Sequence, residues 1–394
     1  MGGPVPRSST DSRPVRVVAF YHRPEDDPFH GGSLHFKGFV EGLRRTVPVD
    51  VVAPSPPGRG ESTDSIAPAR IVGVRYLIRA AFAGGRFLWQ TKRNSSAPRY
   101  VLVAFDVYVA GLVAFLARLR GVPMAYYPQD LNEEVTQTWT AERLPGSLLF
   151  RTVRWPLERA GVRYASLILV PSESMREQWA SRRSFRSPLL LCHLNRSVPV
   201  FRPEDVRRWR DRLRPGGRMV AVFVGSFQYP PNLDAFRYVQ TTLAPDLARR
   251  DPQILLVVAG LDSEPFVSLS TDNLRVLGTV EDLDGLLFSA DVGLAPMVVP
   301  GGTSGKIVDY VLHGLDVVAT PEAARGVRAT PRLRIEDLSR FSDLLIEIHH
   351  QRNGAPDIRT PAPIDPVYLS SYVDDQELRS IGRELVRLAD PARD

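Results

Sequence analysis

Short apolar runs alternate with longer stretches of helical spacing, and this rhythm is played twice along the 394 residues. The first series is VRVVAFY (15–21), VDVVAP (49–54), YVLVAFD (100–106), VPMAYYP (122–128) and ASLILVPS (165–172). The second is MVAVFVGSF (219–227), QILLVVAG (253–260), LRVLGTV (274–280), DVGLAPM (291–297) and DVVATP (316–321). Runs that are apolar throughout suit strands buried on both faces. Strands that alternate with helices predict an α/β chain with two parallel, doubly wound sheets. The predicted layout is a disordered tail at 1–12, a Rossmann-like domain at 13–199, a linker at 200–217, a second Rossmann-like domain at 218–370, and a terminal helix at 371–390 that returns to the first domain. The linker reading rests on the proline and charge of SVPVFRPEDVRRWRDRLRPGG (197–217). Neither half carries GxGxxG after its first strand, which argues against a dinucleotide oxidoreductase.

The single cysteine, Cys192, excludes an internal disulfide framework and a thiolate zinc site. No His/Cys/Asp/Glu group has metal-ligand spacing, so no metal and no cofactor are expected. The opening dozen residues are polar and lack a signal-peptide core, and the longest apolar run (107–117) is too short to span a bilayer. The expected location is therefore cytoplasmic. The net charge is +6, and of 50 cations only Lys37, Lys92 and Lys306 are lysines.

That scarcity draws attention to GGTSGKIVDY (301–310). A loop beyond the carboxyl end of a strand is where open α/β sheets bind ligands. If a helix starts near Ser304, its free N–H groups and positive dipole end face that loop. Thr303 and Ser304 supply hydroxyls, and Lys306 a full charge. These are the parts of a diphosphate site; the plainer reading is a capped helix after a glycine loop. It is not a Walker A loop, because Ile307 follows the lysine. Asp309, one turn on, is placed for ribose hydroxyls or simply for the helix dipole. Segment 70–99 carries seven cations, no acid and four interleaved aromatics. It reads either as a peripheral contact with anionic lipid at the membrane's inner face or as an ordinary solvated helix face. With cations spread through the chain and no recognised module, nucleic acid is not an expected partner. His22, His30 and His35 flank the first glycine pair, and packed or surface roles outweigh catalytic ones.

Three stretches carry a family resemblance. FVGSFQYPPNLDAF (223–236), LRVLGTVEDLDGLLFSADVGLAP (274–296) and GGTSGKIVDYVLHGLDVVATPEAARG (301–326) resemble the donor domain of the GT-B retaining glycosyltransferases of the family-four-like, group 1 type. The first half agrees, with its Gly-Gly loop, YPQDLNEE (127–134) and LVPSESMREQW (169–179). The resemblance implies a metal-independent hexosyltransferase-like enzyme, with a nucleotide-sugar donor held mainly by the second domain and an acceptor hydroxyl held by the first. It implies that Lys306 and the backbone of Gly302, Thr303, Ser304 and Gly305 hold the donor phosphates, that Asp309 holds the ribose, and that Val280 reads the base. Gly225 and Ser226 join the donor site from the turn after the second half's first strand, and Gly31 and Gly32 join it from the first domain. Lys306 and Asp130 are the implied catalytic residues, with Asp130 orienting acceptor or sugar. The arginine- and alanine-rich composition, as of a GC-rich genome, points to a specialised metabolite or an envelope glycan without separating the two. The chain departs from the family pattern at six places. Asp309 replaces a glutamate, Gly301 replaces another, Ser226 and Asn232 stand where Arg and Lys are usual, Gln129 replaces a histidine, and LNRSVP (194–199) replaces PNGVD. These departures keep two alternatives in view: a non-catalytic GT-B partner, and a non-transferring enzyme such as a sugar-nucleotide epimerase.

Overall fold

The computed structural model describes residues 13–22, 31–53, 98–129, 156–181, 187–213, 217–227, 229–299, 302–352, 364, 366–373 and 375–390. Segment 70–99, apart from its last two residues, Asp130 and Gly301 therefore lie outside the described residues.

Two six-stranded parallel sheets form the frame. The first contains β1 (Val15–Tyr21), β2 (Val49–Val52), β3 (Arg99–Phe105), β4 (Met124–Tyr127), β5 (Leu167–Val170) and β6 (Leu189–Leu191), in the order β2-β1-β3-β4-β5-β6. The second contains β7 (Met219–Val224), β8 (Ile254–Ala259), β9 (Leu274–Val276), β10 (Val292–Ala295), β11 (Asp316–Ala319) and β12 (Leu333–Ile335), in the order β12-β11-β10-β7-β8-β9. Every residue of β4, β5, β7, β8 and β10 is buried, as strands covered by helices on both faces must be. Alternate residues serve opposite cores: Val220, Val222 and Val224 pack on one face of the second sheet, and Met219, Ala221 and Phe223 on the other. Each sheet has one point where the strand order reverses, between β1 and β3 in the first and between β7 and β10 in the second. Ligands of doubly wound sheets bind at such points, beyond the carboxyl ends.

Within 200–217, expected as a linker, Pro203–Leu213 is a helix built into the second domain. Val206, Trp209 and Leu213 lie on one face and are buried. Trp209 and Leu213 share a core with Val220 and Val222, and Trp209 Nε1 donates to Asp282 Oδ2 at 3.0 Å. What reads as a charged, proline-marked spacer is an amphipathic helix whose proline sits at its first position.

The chain actually crosses between the domains a few residues earlier. Cys192 N–H still donates to Val170 O in the first sheet at 2.8 Å, whereas Leu194 already packs in the second domain's core. The return crossing runs beside it. Tyr368 and Tyr372 belong to the second core, while Leu378, Ile381 and Leu385 of the helix Gln376–Ala389 belong to the first. Glu377 ties the two crossings together, accepting from His193 N at 2.6 Å and lying 2.7 Å from His193 Nδ1. Among the described residues no helix is long and apolar enough to cross a membrane.

Candidate functional site

The helix Gly305–Leu312 starts beyond β10, beside the carboxyl end of β7. Ile307, Val308, Tyr310, Val311 and Leu312 are buried and pin it to the second sheet. Tyr310 closes the reversal point. The β7–β10 ladder pairs only Val292 with Ala221 and Gly293 with Val222 before the strands diverge. Beyond it, the Tyr310 hydroxyl accepts from Val224 N at 2.9 Å and donates to Leu294 O at 3.3 Å. Gly293 is required beneath it, since any Cβ there would overlap the tyrosine ring.

Lys306 points from the first turn of this helix to the end of β7. Its Nζ donates to Asn232 Oδ1 at 2.6 Å, lies 3.3 Å from Met297 Sδ, and stands 4.4 Å from the centroid of the Phe223 ring. Burial among these uncharged partners brings its pKa down to about 7. Ser304 occupies the N-cap position with extended backbone, yet its side chain makes no capping bond. The hydroxyls of Ser226, Thr303 and Ser304 are all buried without a hydrogen-bond partner among the described residues. So are Ser33 Oγ and Gln129 Nε2, from the first turn of the helix Gly31–Arg44 and the end of β4 in the first domain. Each such atom costs about 1–3 kcal/mol if left unmet.

The other donor-site residues divide. Gly302 directly precedes Thr303 and Ser304, and Gly305 opens the helix. Gly225 N–H donates to Ala259 O at 3.1 Å, and a Cβ on Gly225 would meet the Asn232 amide at 2.7 Å. Asn232 Nδ2 in turn donates to Ser226 O at 2.8 Å. Gly31 and Gly32, expected as a loop, form the first turn of the helix Gly31–Arg44, so what they present is helix-terminal backbone. Val280 is partly buried and packs against the second core, leaving its backbone as the part able to meet a base. The carboxylate of Asp309, expected for the ribose, accepts from Arg196 Nε at 2.7 Å.

The two sets of strand ends face one another. A Cβ on Gly326, which has φ +73°, would meet Ser172 Oγ of the first domain at 2.6 Å and Thr303 Oγ1 of the second at 2.9 Å. At the first sheet's reversal point, His22 Nδ1 lies 3.4 Å from Asp106 Oδ2. Asp106 has φ 108°, a strained setting for a residue with a side chain. His35 is packed between the two domains' crossing and the first sheet, with both ring nitrogens engaged. Tyr127 donates to Cys192 O at 2.9 Å and so accepts from His35 Nε2 at 2.7 Å, while His35 Nδ1 accepts from Asn195 N at 3.3 Å. This uncharged ring is buried, and burial and then Arg196 push its pKa well down.

Sequence reasoning missed Arg196, the role of Asn232 as acceptor for the lysine, and the His22–Asp106 pair. For Arg196 a signal existed: in LNRSVP it stands where the PNGVD pattern has its glycine.

Residues 30–194 match the model of the glycosyl transferase 4-like domain, and residues 218–348 match that of the glycosyl transferases group 1. The chain is a member of the GT-B glycosyltransferases. No curated protein sequence matches it. Solved GT-B structures do, along nearly the whole chain. One is HepE (Alr3699) from Anabaena in complex with UDP-glucose, at 13% identity and TM-score 0.62, covering 94% of this chain and 99% of that one. Another is sucrose-phosphate synthase from Thermosynechococcus elongatus, at 14% identity and TM-score 0.61, covering 95% and 96%. A third is a glycosyltransferase from Rickettsia africae, at 10% identity and TM-score 0.60, covering 95% and 99%. At such identities the likeness is one of fold, and it is the GT-B fold of two facing parallel-sheet domains.

Proposed function

We propose that this GT-B glycosyltransferase moves a sugar from a nucleotide-sugar donor to an acceptor hydroxyl, with retention and without a metal. The observation that carries the donor reading is the arrangement at the second reversal point. A lysine on the first turn of a helix, the helix's free N–H groups and three unmet hydroxyls converge where a diphosphate would lie. The Anabaena neighbour holds UDP-glucose, which supports a nucleotide sugar as the donor class.

The chemistry follows from charge. As the glycosidic bond to the diphosphate breaks, negative charge builds on the leaving phosphate, and groups fixed beforehand stabilise it best. Lys306 and the helix N-terminus are so fixed. The leaving phosphate then takes the acceptor's proton on the same face, which gives retention without a dedicated carboxylate base. His22 and Asp106, at the first sheet's reversal point, are placed to orient the acceptor. Among the described residues no group of three His, Cys, Asp or Glu is placed to hold a metal ion. Envelope glycans and specialised metabolites remain the acceptor classes to try.

The test is a panel of nucleotide sugars screened by thermal shift, since a ligand bound only by the native state raises its melting point. A hit is then assayed for transfer in excess chelator, and the anomeric configuration of the product is read by NMR. Failure of every donor to shift the melting point overturns the reading. An inverted product overturns retention, and activity that returns only with added magnesium or manganese overturns metal independence.

A further inference from the structure

Arg196 sits on the crossing peptide, where its backbone N–H donates to Tyr372 O at 2.7 Å. Its side chain is only 7% exposed. Nε is committed to Asp309. The far edge of the guanidinium lies on Gly305, so closely that a Cβ there would overlap Nη2. Nη1 is buried and has no hydrogen-bond partner among the described residues.

This is a costly place for a cation. The N-terminal turn of a helix carries partial positive charge, which repels a guanidinium lying across it. Lys306 is the next residue. Among the described residues Asp309 is the one carboxylate paired with Arg196, and an arginine cannot shed its proton to relieve the strain. A buried charged donor without a partner adds its own penalty. Cation, helix end, lysine and the unmet hydroxyls of Thr303 and Ser304 together leave the spot short of negative charge and of hydrogen-bond acceptors.

We infer that Arg196 is a ligand of the donor's diphosphate, held ready by Asp309 and presenting Nη1 to a phosphate oxygen. The inference rests on the nucleotide-sugar reading above and adds a phosphate cation that the family pattern does not supply. Where that pattern has Arg and Lys, this chain has Ser226 and Asn232; the charge arrives instead from the interdomain crossing. The planar fork of an arginine suits a phosphate, and Gly305 is the residue that lets the fork lie flat on the helix terminus. Because Arg196 rides on the crossing peptide, its contact would also couple donor binding to the angle between the domains.

The experiment measures binding of UDP, GDP and ADP, each beside its own nucleoside, to the full chain by calorimetry and ligand-observed NMR. For the diphosphate that binds, Arg196→Gln is expected to weaken affinity about ten- to a hundredfold while leaving the nucleoside unchanged. The same selective loss is expected when Asp309→Asn is already present. Arg196→Lys keeps the charge without the fork and should fall between. Gly305→Ala displaces the guanidinium and should reproduce the loss, so the test stands even if Arg196→Gln fails to fold. Equal losses for diphosphate and nucleoside, or a loss that vanishes in Asp309→Asn, would show that Arg196 only positions Asp309 and would overturn the inference. Unchanged diphosphate binding in Arg196→Gln overturns it directly and leaves the donor reading standing. A wild-type chain that binds none of the three overturns the donor reading and this inference with it.

Discussion

Lys306 Nζ donates to Asn232 Oδ1 at 2.6 Å while standing 4.4 Å from the centroid of the Phe223 ring. Position 232 is one where the family pattern supplies a cation. Here an amide, aimed by its own bond to Ser226 O, accepts from the lysine instead. The pocket thus holds one ammonium among neutral groups, and burial outweighs the favourable ring and amide contacts.

The first prediction is proton uptake on donor binding. With a pKa brought down to about 7, Lys306 is largely neutral at pH 8. A diphosphate beside it favours the charged form and raises the pKa, so binding must draw in a proton at pH 8 and much less at pH 6. Donor affinity should accordingly fall as pH rises above about 7. Calorimetry of UDP-glucose in buffers of different ionisation enthalpy reads the uptake directly. That donor has no phosphate group titrating in the range, so binding at pH 8 without uptake would remove Lys306 from the phosphate site.

The second prediction separates activity from stability at the same residue. Lys306→Ala should lower kcat/KM by about two to three orders of magnitude, equivalent to about 2.7–4 kcal/mol of transition-state stabilisation. The fold should not suffer in proportion. The native lysine has the lower pKa, so the unfolded chain binds more protons between pH 7 and the ordinary lysine value of 10.5, and the Lys306 contribution to stability rises with pH through that window. Melting curves of wild type and Lys306→Ala from pH 6 to 9 should show a steeper rise for the wild type. Turnover at the wild-type rate in the variant would disprove the phosphate role.

Much of this site was legible in the sequence because its parts are local. Strand β10, the glycine loop, Ser304 and Lys306 lie within fifteen residues, and the physics linking them is that of a strand end and a helix start. The ten apolar runs likewise announced ten strands. Strands β6 (LLL) and β12 (LRI) did not; β9 (LRV), as short and also at a sheet edge, was announced only by the longer apolar run LRVLGTV that contains it. Arg196 and Asp309 are 113 residues apart and meet only because the crossing peptide passes the helix terminus. In a chain this rich in arginine, only the departure of LNRSVP from the PNGVD pattern marks Arg196 in the sequence.

The third prediction tests the helix Pro203–Leu213. Were 200–217 a spacer, shortening Trp209 would change little. Its indole instead packs beside Leu213 and Val220, and its Nε1 is bonded to Asp282, whose other oxygen accepts from Gly285 N at 3.0 Å as a helix cap. Trp209→Ala should therefore destabilise the protein by about 3–5 kcal/mol. The loss is read from chemical denaturation. Stability within experimental error of wild type would return the segment to a linker.

The last prediction concerns the return helix, whose seating fixes both crossings. Gly42 lies on the helix Gly31–Arg44, and a Cβ there would overlap Leu378 Cδ1. On an isolated helix Gly→Ala would help by about 0.5–1 kcal/mol. Here the new methyl must push Leu378 out of a core that includes Phe39, Leu43 and Ile381. Overpacking of that kind costs about 1–3 kcal/mol, which outweighs the gain in propensity. Gly42→Ala should then lower stability on its own. In a Leu378→Ala background, where the obstruction is gone, it should be neutral or stabilising. The sign change is the discriminating feature, because a helix that merely drapes over the surface predicts the same small gain in both backgrounds. Since Glu377, next to Leu378, also holds His193, Gly42→Ala should weaken the diphosphate contact made through the crossing peptide as well. A variant that loses stability yet binds UDP as tightly as wild type would show that the return helix anchors the first domain without setting the angle at which Arg196 meets the second.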